Sequence, residues 1–209
     1  MLLCRPSIII QVVELMKLIL ASTSPYRENI LKKLCIPFSC VSPSVDETPM
    51  NNESANNLVA RLAREKALSV GEAEKGLIIG SDQVACIDGV ILGKPGNKLK
   101  AFDQLTQLSG NTVTFFTGLS LLDSTTHRQE TIVETFGVTF KSLSAKQINR
   151  YLELEEPYDC AGSFKSEDLG IALFSSLDGR DPNTLIGLPL IALVAMLERF
   201  EFDVFEHMQ

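Results

Sequence analysis

A mixed α/β fold in one domain is what this sequence predicts: a twisted sheet flanked by helices, folded as two lobes around a cleft. Three observations carry that expectation. The 209 residues are 45% hydrophobic and 22% charged, the balance of a globular chain with ample apolar material for a core. Strand-like and helix-like apolar periods intermingle from end to end, as in sheets covered by helices. No Pro/Gly/Ser-rich linker or internal repeat interrupts them, so residues 16–209 read as one domain, with 1–15 an N-terminal extension ahead of Met16.

The elements follow in order. Lys17 to Ser22 is a short aliphatic run that suits a buried strand. Ser24-Pro25 then opens a helix, serine as cap and proline in the first turn, with Ile30, Leu31 and Leu34 on its apolar face. Phe38 to Val41 reads as a second short strand. Ser54 to Val70 has Leu58, Val59, Leu62 and Ala63 at helical spacing and Gly71 as a stop. Leu77 to Gly80 is the most strand-like run, and Asp88-Gly89 signals a tight hairpin turn after it. Asn97 to Leu108 is a helix. Val113, Phe115, Leu119 and Leu121 share one parity and Ile132, Phe136, Val138 and Phe140 another, giving two half-buried strands with a turn over 123–130. Ser144 and Gln147 form a capping box for the next helix. Gly170 to Phe174 reads as a strand, 179–189 as a turn, and Pro189 to Phe200 as the final helix.

Composition excludes several functions. A net charge of −7 opposes a broad nucleic-acid footprint, which needs a basic face to displace counterions. A small anion in a local basic pocket remains compatible with it. The five cysteines are odd in number and include no C-x-x-C pair, so reduced thiols in a cytoplasm are the simplest reading. The two histidines, His127 in a polar stretch and His207 near the end, supply neither a triad nor a histidine metal cluster. Catalysis here falls to carboxylates, lysines and arginines. Ile8 to Leu20 is apolar but too short to span a membrane, being broken by Gln11, Glu14 and Lys17.

Four stretches place chemistry at strand ends and loops. In Ala21-Ser-Thr-Ser-Pro-Tyr-Arg27 a helix start offers backbone N–H groups and Arg27 a phosphate fork, against the plainer reading of a cap with a surface arginine. Val45-Asp-Glu-Thr-Pro49 offers Asp46 or Glu47 to a hard cation, or is a solvated acidic turn. Near it, charge at Arg64-Glu65-Lys66 on an amphipathic helix ordinarily faces water. Gly80-Ser-Asp-Gln-Val84 puts Asp82 at the carboxyl end of a buried strand, where α/β sheets bind ligands, and Gly93-Lys94-Pro95 returns a lysine. Cys160-Ala-Gly-Ser-Phe-Lys-Ser-Glu167 fits a pocket wall, or a solvated Lys165–Glu167 pair.

Taken together, LASTSPYR at 20–27, VDETP at 45–49, REKA at 64–67, GSDQV at 80–84, GKP at 93–95, CAGSFKSE at 160–167 and GLPL at 187–190 resemble the Maf-like nucleotide pyrophosphatases from about Met16 to Arg199. The resemblance implies a cleft in a mixed α/β fold akin to that of inosine triphosphatases. It also implies a divalent metal, magnesium or manganese, and hydrolysis of a nucleoside triphosphate to monophosphate and pyrophosphate. Tyr26, Gln83 and Glu167 are similar to the specificity residues of the branch acting on 7-methyl-GTP, which keeps modified nucleotides out of nucleic acids. Glu28 departs from the pattern, since relatives often carry a second arginine there.

Attack on an α-phosphorus needs a deprotonated water and a neutralised triphosphate. Asp82 is the expected general base, and Lys66 and Lys94, with Arg27 and Lys165, are expected to neutralise the leaving pyrophosphate. Glu47 and Asp82 are the expected metal ligands, and Ser22, Ser24, Arg27 and Lys165 the expected substrate contacts. The expected partner is a nucleoside triphosphate, with no nucleic acid or membrane, and a homodimer is compatible with the chain. Two rivals stay open: a dTTP/UTP or broader modified-nucleotide pyrophosphatase, and a nucleotide-binding regulator of cell division that needs no turnover.

Overall fold

The computed structural model describes residues 16–209; the expected extension over 1–15 lies outside them. Its seven strands form one mixed sheet. They are β1 (Leu18–Ala21), β2 (Ser39–Val41), β3 (Leu77–Ile87), β4 (Val90–Leu92), β5 (Thr112–Asp123), β6 (Gln129–Phe140) and β7 (Phe174–Asp178). The sheet order is β2-β1-β3-β5-β6-β7, with β4 paired to β3. The β1–β2 and β1–β3 pairs are parallel, the others antiparallel. The helices are α1 (Pro25–Leu31), α2 (Ala55–Gly71), α3 (Lys98–Leu108), α4 (Ala145–Glu155), α5 (Pro182–Ile186), α6 (Leu190–Arg199) and α7 (Val204–His207). Among the described residues no helix is long and apolar enough to cross a membrane.

The period of two sorts the core. Leu18, Leu20, Leu77, Ile79, Leu119 and Leu121 face a cluster completed by α1 and α6. The alternating residues Ile19, Ala21, Ile78 and Leu122 meet Ala67 and Val70 of α2 on the other side. With both faces covered, these strands read as continuous apolar runs. A separate core joins the far halves of β3, β5 and β6 to α3 and α4, centred on Phe115, Phe136 and Phe140. The long strands therefore carry two lobes. Helix α2 lies unusually close to the sheet: a Cβ at Gly80 would come within 2.1 Å of the Ala63 carbonyl oxygen, and one at Gly118 within 2.1 Å of that of Val59. Only glycine permits this approach.

Local signals hold at most element ends. Ser24, Ser54, Asn97 and Ser144 cap α1 to α4, and both bonds of the Ser144/Gln147 capping box are made. Asp88 and Gly89 both have positive φ, as a two-residue hairpin turn requires. Three readings need correction. The run Gly170 to Phe174 is mainly a 3-10 helix, Leu169–Leu173, and the strand begins at Phe174; a short apolar run does not distinguish the two. The stretch read as a turn contains α5, capped by Asp181 with Pro182 at its first position, a start signal that was present in the sequence. Helix α6 is followed by α7 rather than ending the fold.

Candidate active site

Strand β3 is longer than expected, and that changes where Asp82 stands. It does not end at Gly80. β1 stops at Ala21, opposite Gly80, whereas antiparallel β5 continues to pair with β3 as far as Cys86. Asp82 thus sits inside a strand but just past the end of its parallel neighbour. Consecutive side chains alternate faces, so the Ser81-Asp82-Gln83 triplet divides: Asp82 turns to α2, and Ser81 and Gln83 turn to the start of the C-terminal helices. Ser81 donates to the Gly187 carbonyl at 2.8 Å.

On the α2 side lies a buried charge cluster. The Lys66 ammonium is bonded to Asp82 Oδ1 at 2.7 Å and to Glu47 Oε1 at 2.5 Å. Its side chain is only 7% exposed, against 11% for Asp82 and 62% for Glu47. The expectation that charge on α2 faces water fails for Lys66, because the glycine contacts bring this helix down onto the strand carrying Asp82. Hydrogen bonding to Lys66 lowers the Glu47 carboxyl below its usual range. Arg27 is close enough to feel both carboxylates; burial lowers its guanidinium from its ordinary value and Asp82 and Glu47 pull it back. Its Nε donates to the Gly187 carbonyl at 2.9 Å, which aims the side chain across from α1.

Asp46 and Glu47 separate in function. Asp46 accepts the Thr48 N–H at 2.9 Å and shapes the turn, leaving Glu47 to reach Lys66. The loop is held by a residue the sequence reading missed. Arg61 makes a bidentate pair with Glu53 at 2.8 and 2.9 Å and donates to the Thr48 carbonyl at 3.2 Å. Glu53 in turn accepts the Met50 N–H. The only sequence signal was an arginine and glutamate eight residues apart across a helix start. The Arg61 guanidinium holds the Glu53 carboxyl down at about 2, so the stabilisation is complete above the ordinary carboxylate range and is lost only as pH falls towards that value. Arg61→Ala is expected to unprotect the Met50 amide in hydrogen exchange and to lower turnover by about 10- to 100-fold through misplacement of Glu47.

A cleft of about 380 Å³ opens between the lobes. Ser22, Ser24, Tyr26, Arg27, Lys66, Gln83, Lys94, Lys165 and Glu167 all line it, with Phe115 and Phe164 as apolar wall. Asp82 and Glu47 do not line it themselves and are joined to it through Lys66. Ser24 is the plain cap of α1, accepting the Arg27 N–H, while Ser22 accepts the Ser24 N–H. Lys94 has no ion-pair partner among the described residues and acts on Glu47 through space. Lys165 pairs with Glu155 at 3.4 Å, so the alternative Lys165–Glu167 pair is not formed and Lys165 is not a free cation. Glu167 is exposed, accepting from Ser166. The Tyr26 hydroxyl meets the Cys160 thiol at 3.9 Å. Burial raises the Tyr26 phenol and pushes the Cys160 thiol up to about 12, so both stay neutral and Cys160 is no nucleophile. Glu28 forms a surface pair with Lys32.

The chain matches the family model described as Maf-like protein over residues 17–200. It is 90% identical over 194 residues to a protein of Pseudoalteromonas atlantica named 7-methyl-GTP pyrophosphatase, covering 93% of this chain and 100% of that one. A protein of Aliivibrio fischeri with the same name is 57% identical, with 90% and 98% covered. Solved structures of Ham1 proteins share the architecture: that from Staphylococcus aureus has a TM-score of 0.52 at 13% identity, covering 88% of this chain and 99% of its own. The Ham1 protein of Coxiella burnetii has a TM-score of 0.50 at 11% identity, with the same coverage. The paired lobes, the Lys66 cluster at their junction and the match over nearly the whole described chain lead to one conclusion: the chain belongs to the Maf-like protein family.

Proposed function

We propose that this protein is a nucleoside triphosphate pyrophosphatase that hydrolyses 7-methyl-GTP to 7-methyl-GMP and pyrophosphate. The observation that carries this reading is the buried Lys66 bridge between Asp82 and Glu47, set at one cleft that Tyr26 and Glu167 also line. The identity to relatives bearing that name supports the choice of base. Water attacks the α-phosphorus, its proton passes to the Asp82 carboxylate, and the bond to the β-phosphate bridging oxygen breaks. Lys66 holds Asp82 in place, and Arg27 and Lys94 neutralise charge on the departing pyrophosphate. These cations explain how an acidic protein accepts a polyanion, since the local potential of a cleft outweighs net charge.

Lys66 engages one oxygen of each carboxylate, Asp82 Oδ1 and Glu47 Oε1, and the second oxygens of the pair suit a magnesium or manganese ion. Among the described residues no three Asp, Glu, His or Cys side chains form a metal cluster, so Glu47 and Asp82 would hold the ion together with substrate oxygens and water, as small hard cations prefer. When bound, the ion would polarise the phosphate and lower the pKa of its water. Tyr26 offers a face to the cationic methylated ring, and Glu167 accepts from base N–H groups. The domain is proposed to begin at Met16, two residues before β1, and to work in a cytoplasm, in keeping with free thiols at Cys35, Cys40, Cys86 and Cys160.

The test is pyrophosphate release by purified protein on 7-methyl-GTP, GTP, dTTP and UTP, with magnesium or manganese and again after chelation. Fastest turnover of 7-methyl-GTP, silenced by chelation and restored by either ion, is expected. Preference for dTTP or UTP would reassign the substrate, and tight binding without pyrophosphate release would favour a regulatory role. Full activity in a metal-free preparation would remove the ion from the reaction.

A further inference from the structure

Gln83 lines the cleft, yet its amide is not free to choose what it shows a ligand. Nε2 lies 2.9 Å from Thr117 Oγ1, 2.7 Å from the Thr184 carbonyl and 3.1 Å from the Leu185 carbonyl. Two of these are carbonyl oxygens, which only accept. The third is obliged to accept as well, because Thr117 spends its single hydroxyl proton on the Thr184 carbonyl at 3.0 Å. An amide flipped the other way would set its own oxygen against two carbonyls. Thr117 and Thr184 are buried, so water does not relieve that repulsion cheaply. The arrangement is built by the fold: Thr117 is the residue directly opposite Gln83 in the β3–β5 ladder, and both donate to carbonyls of α5.

We propose that Thr117 is a positioning residue that locks the Gln83 amide so that its carbonyl oxygen Oε1 is the group presented to the base. This rests on the proposed function and deepens it. With the Glu167 carboxylate on the same cleft, the base end then offers two acceptors. Guanine carries adjacent N–H donors at N1 and N2 and satisfies both. Uracil and thymine carry one N–H between two carbonyl oxygens, and a locked acceptor meets those oxygens with repulsion. A Gln83 free to flip would present NH2 to them and accommodate the pyrimidine. Specificity therefore comes from denying the amide its second orientation as well as from the attractive contact.

The experiment compares kcat and KM for 7-methyl-GTP and UTP in the parent, Thr117→Val and Thr117→Ser. Valine keeps the shape and removes the hydroxyl; serine keeps the hydroxyl. Thr117→Val is expected to lower the 7-methyl-GTP to UTP ratio of kcat/KM about 5- to 10-fold, the scale of one hydrogen bond. The change should appear mainly in KM, with Thr117→Ser retaining the parent ratio. An unchanged ratio in Thr117→Val overturns Thr117 as the positioning residue, the Thr184 and Leu185 carbonyls then holding the amide alone, and leaves the substrate reading intact, whereas a parent that prefers UTP overturns both. The side-chain NH2 of Gln83 supplies a readout that needs no variant: slow exchange of its protons with solvent in nitrogen-edited NMR of the parent supports the lock, and exchange at the rate of an exposed glutamine refutes it.

Discussion

Replacing Asp82 with asparagine is expected to cut pyrophosphate release by about 10²- to 10⁴-fold, the usual contribution of a general base, while leaving the melting temperature within a few degrees. The two effects separate for a structural reason. Asparagine fits the same space, and its Oδ1 still accepts from the Lys66 ammonium that now sits 2.7 Å from the carboxylate, so the bridge to Glu47 keeps a partner on each side. What disappears is the capacity to take a proton from water, together with one negative charge for a cation. Single-turnover measurement on 7-methyl-GTP reads the chemical step apart from product release. A rate near that of the parent would take Asp82 out of the role.

Lys66→Met is expected to be the most damaging change to stability and activity together. It leaves Asp82, nearly out of solvent, and Glu47 facing one another with no cation between them. Breaking a buried ion pair costs about 3–5 kcal/mol. The lower end of that range is expected here, because Glu47 is largely exposed and can turn to water. The pH dependence follows from the lowered Glu47 carboxyl. In the parent that pairing contributes fully above the ordinary carboxylate range and is lost as pH falls through the depressed folded value. The gap in unfolding free energy between parent and variant should therefore be widest near neutrality and narrow below about pH 4, where carboxylates protonate. Urea unfolding at pH 7 and pH 4 measures it, and an equal gap at both values would mean that packing of the lysine stem, not its charge, is what matters. Activity should fall with the misplacement of Asp82.

Much of the architecture was legible because it is encoded locally. The caps at Ser24, Ser54, Asn97 and Ser144, the alternating residues of β5 and β6, and the Asp88-Gly89 turn are short-range signals read by short-range rules. Where two rules overlapped, the local reading failed. The run Gly170 to Phe174 suits either a strand or a tight helix, and the chain takes the latter, with Gly170 packed too closely on the Lys165 backbone to leave room for a side chain. Helix α5 carried its own start signal in Asp181-Pro182, obscured by the density of turn-forming residues around it.

By itself, the sequence determined that this is a mixed α/β chain with hydroxyls, cations and carboxylates at recurrent motifs, and those motifs pointed to the Maf-like family. It did not determine what each polar group does. Asp46 and Glu47 are adjacent, yet one caps a turn and the other joins Lys66; Asp82 and Gln83 are adjacent, yet they serve opposite faces of the sheet. Lys165 has Glu155 as its partner rather than Glu167. Arg61 and Thr117 carry no motif at all. These assignments belong to the tertiary structure because a hydrogen bond depends on distance and direction in space, and both are set by how closely α2 approaches Gly80 and Gly118, how far β3 runs past the end of β1, and where α5 meets β3 and β5.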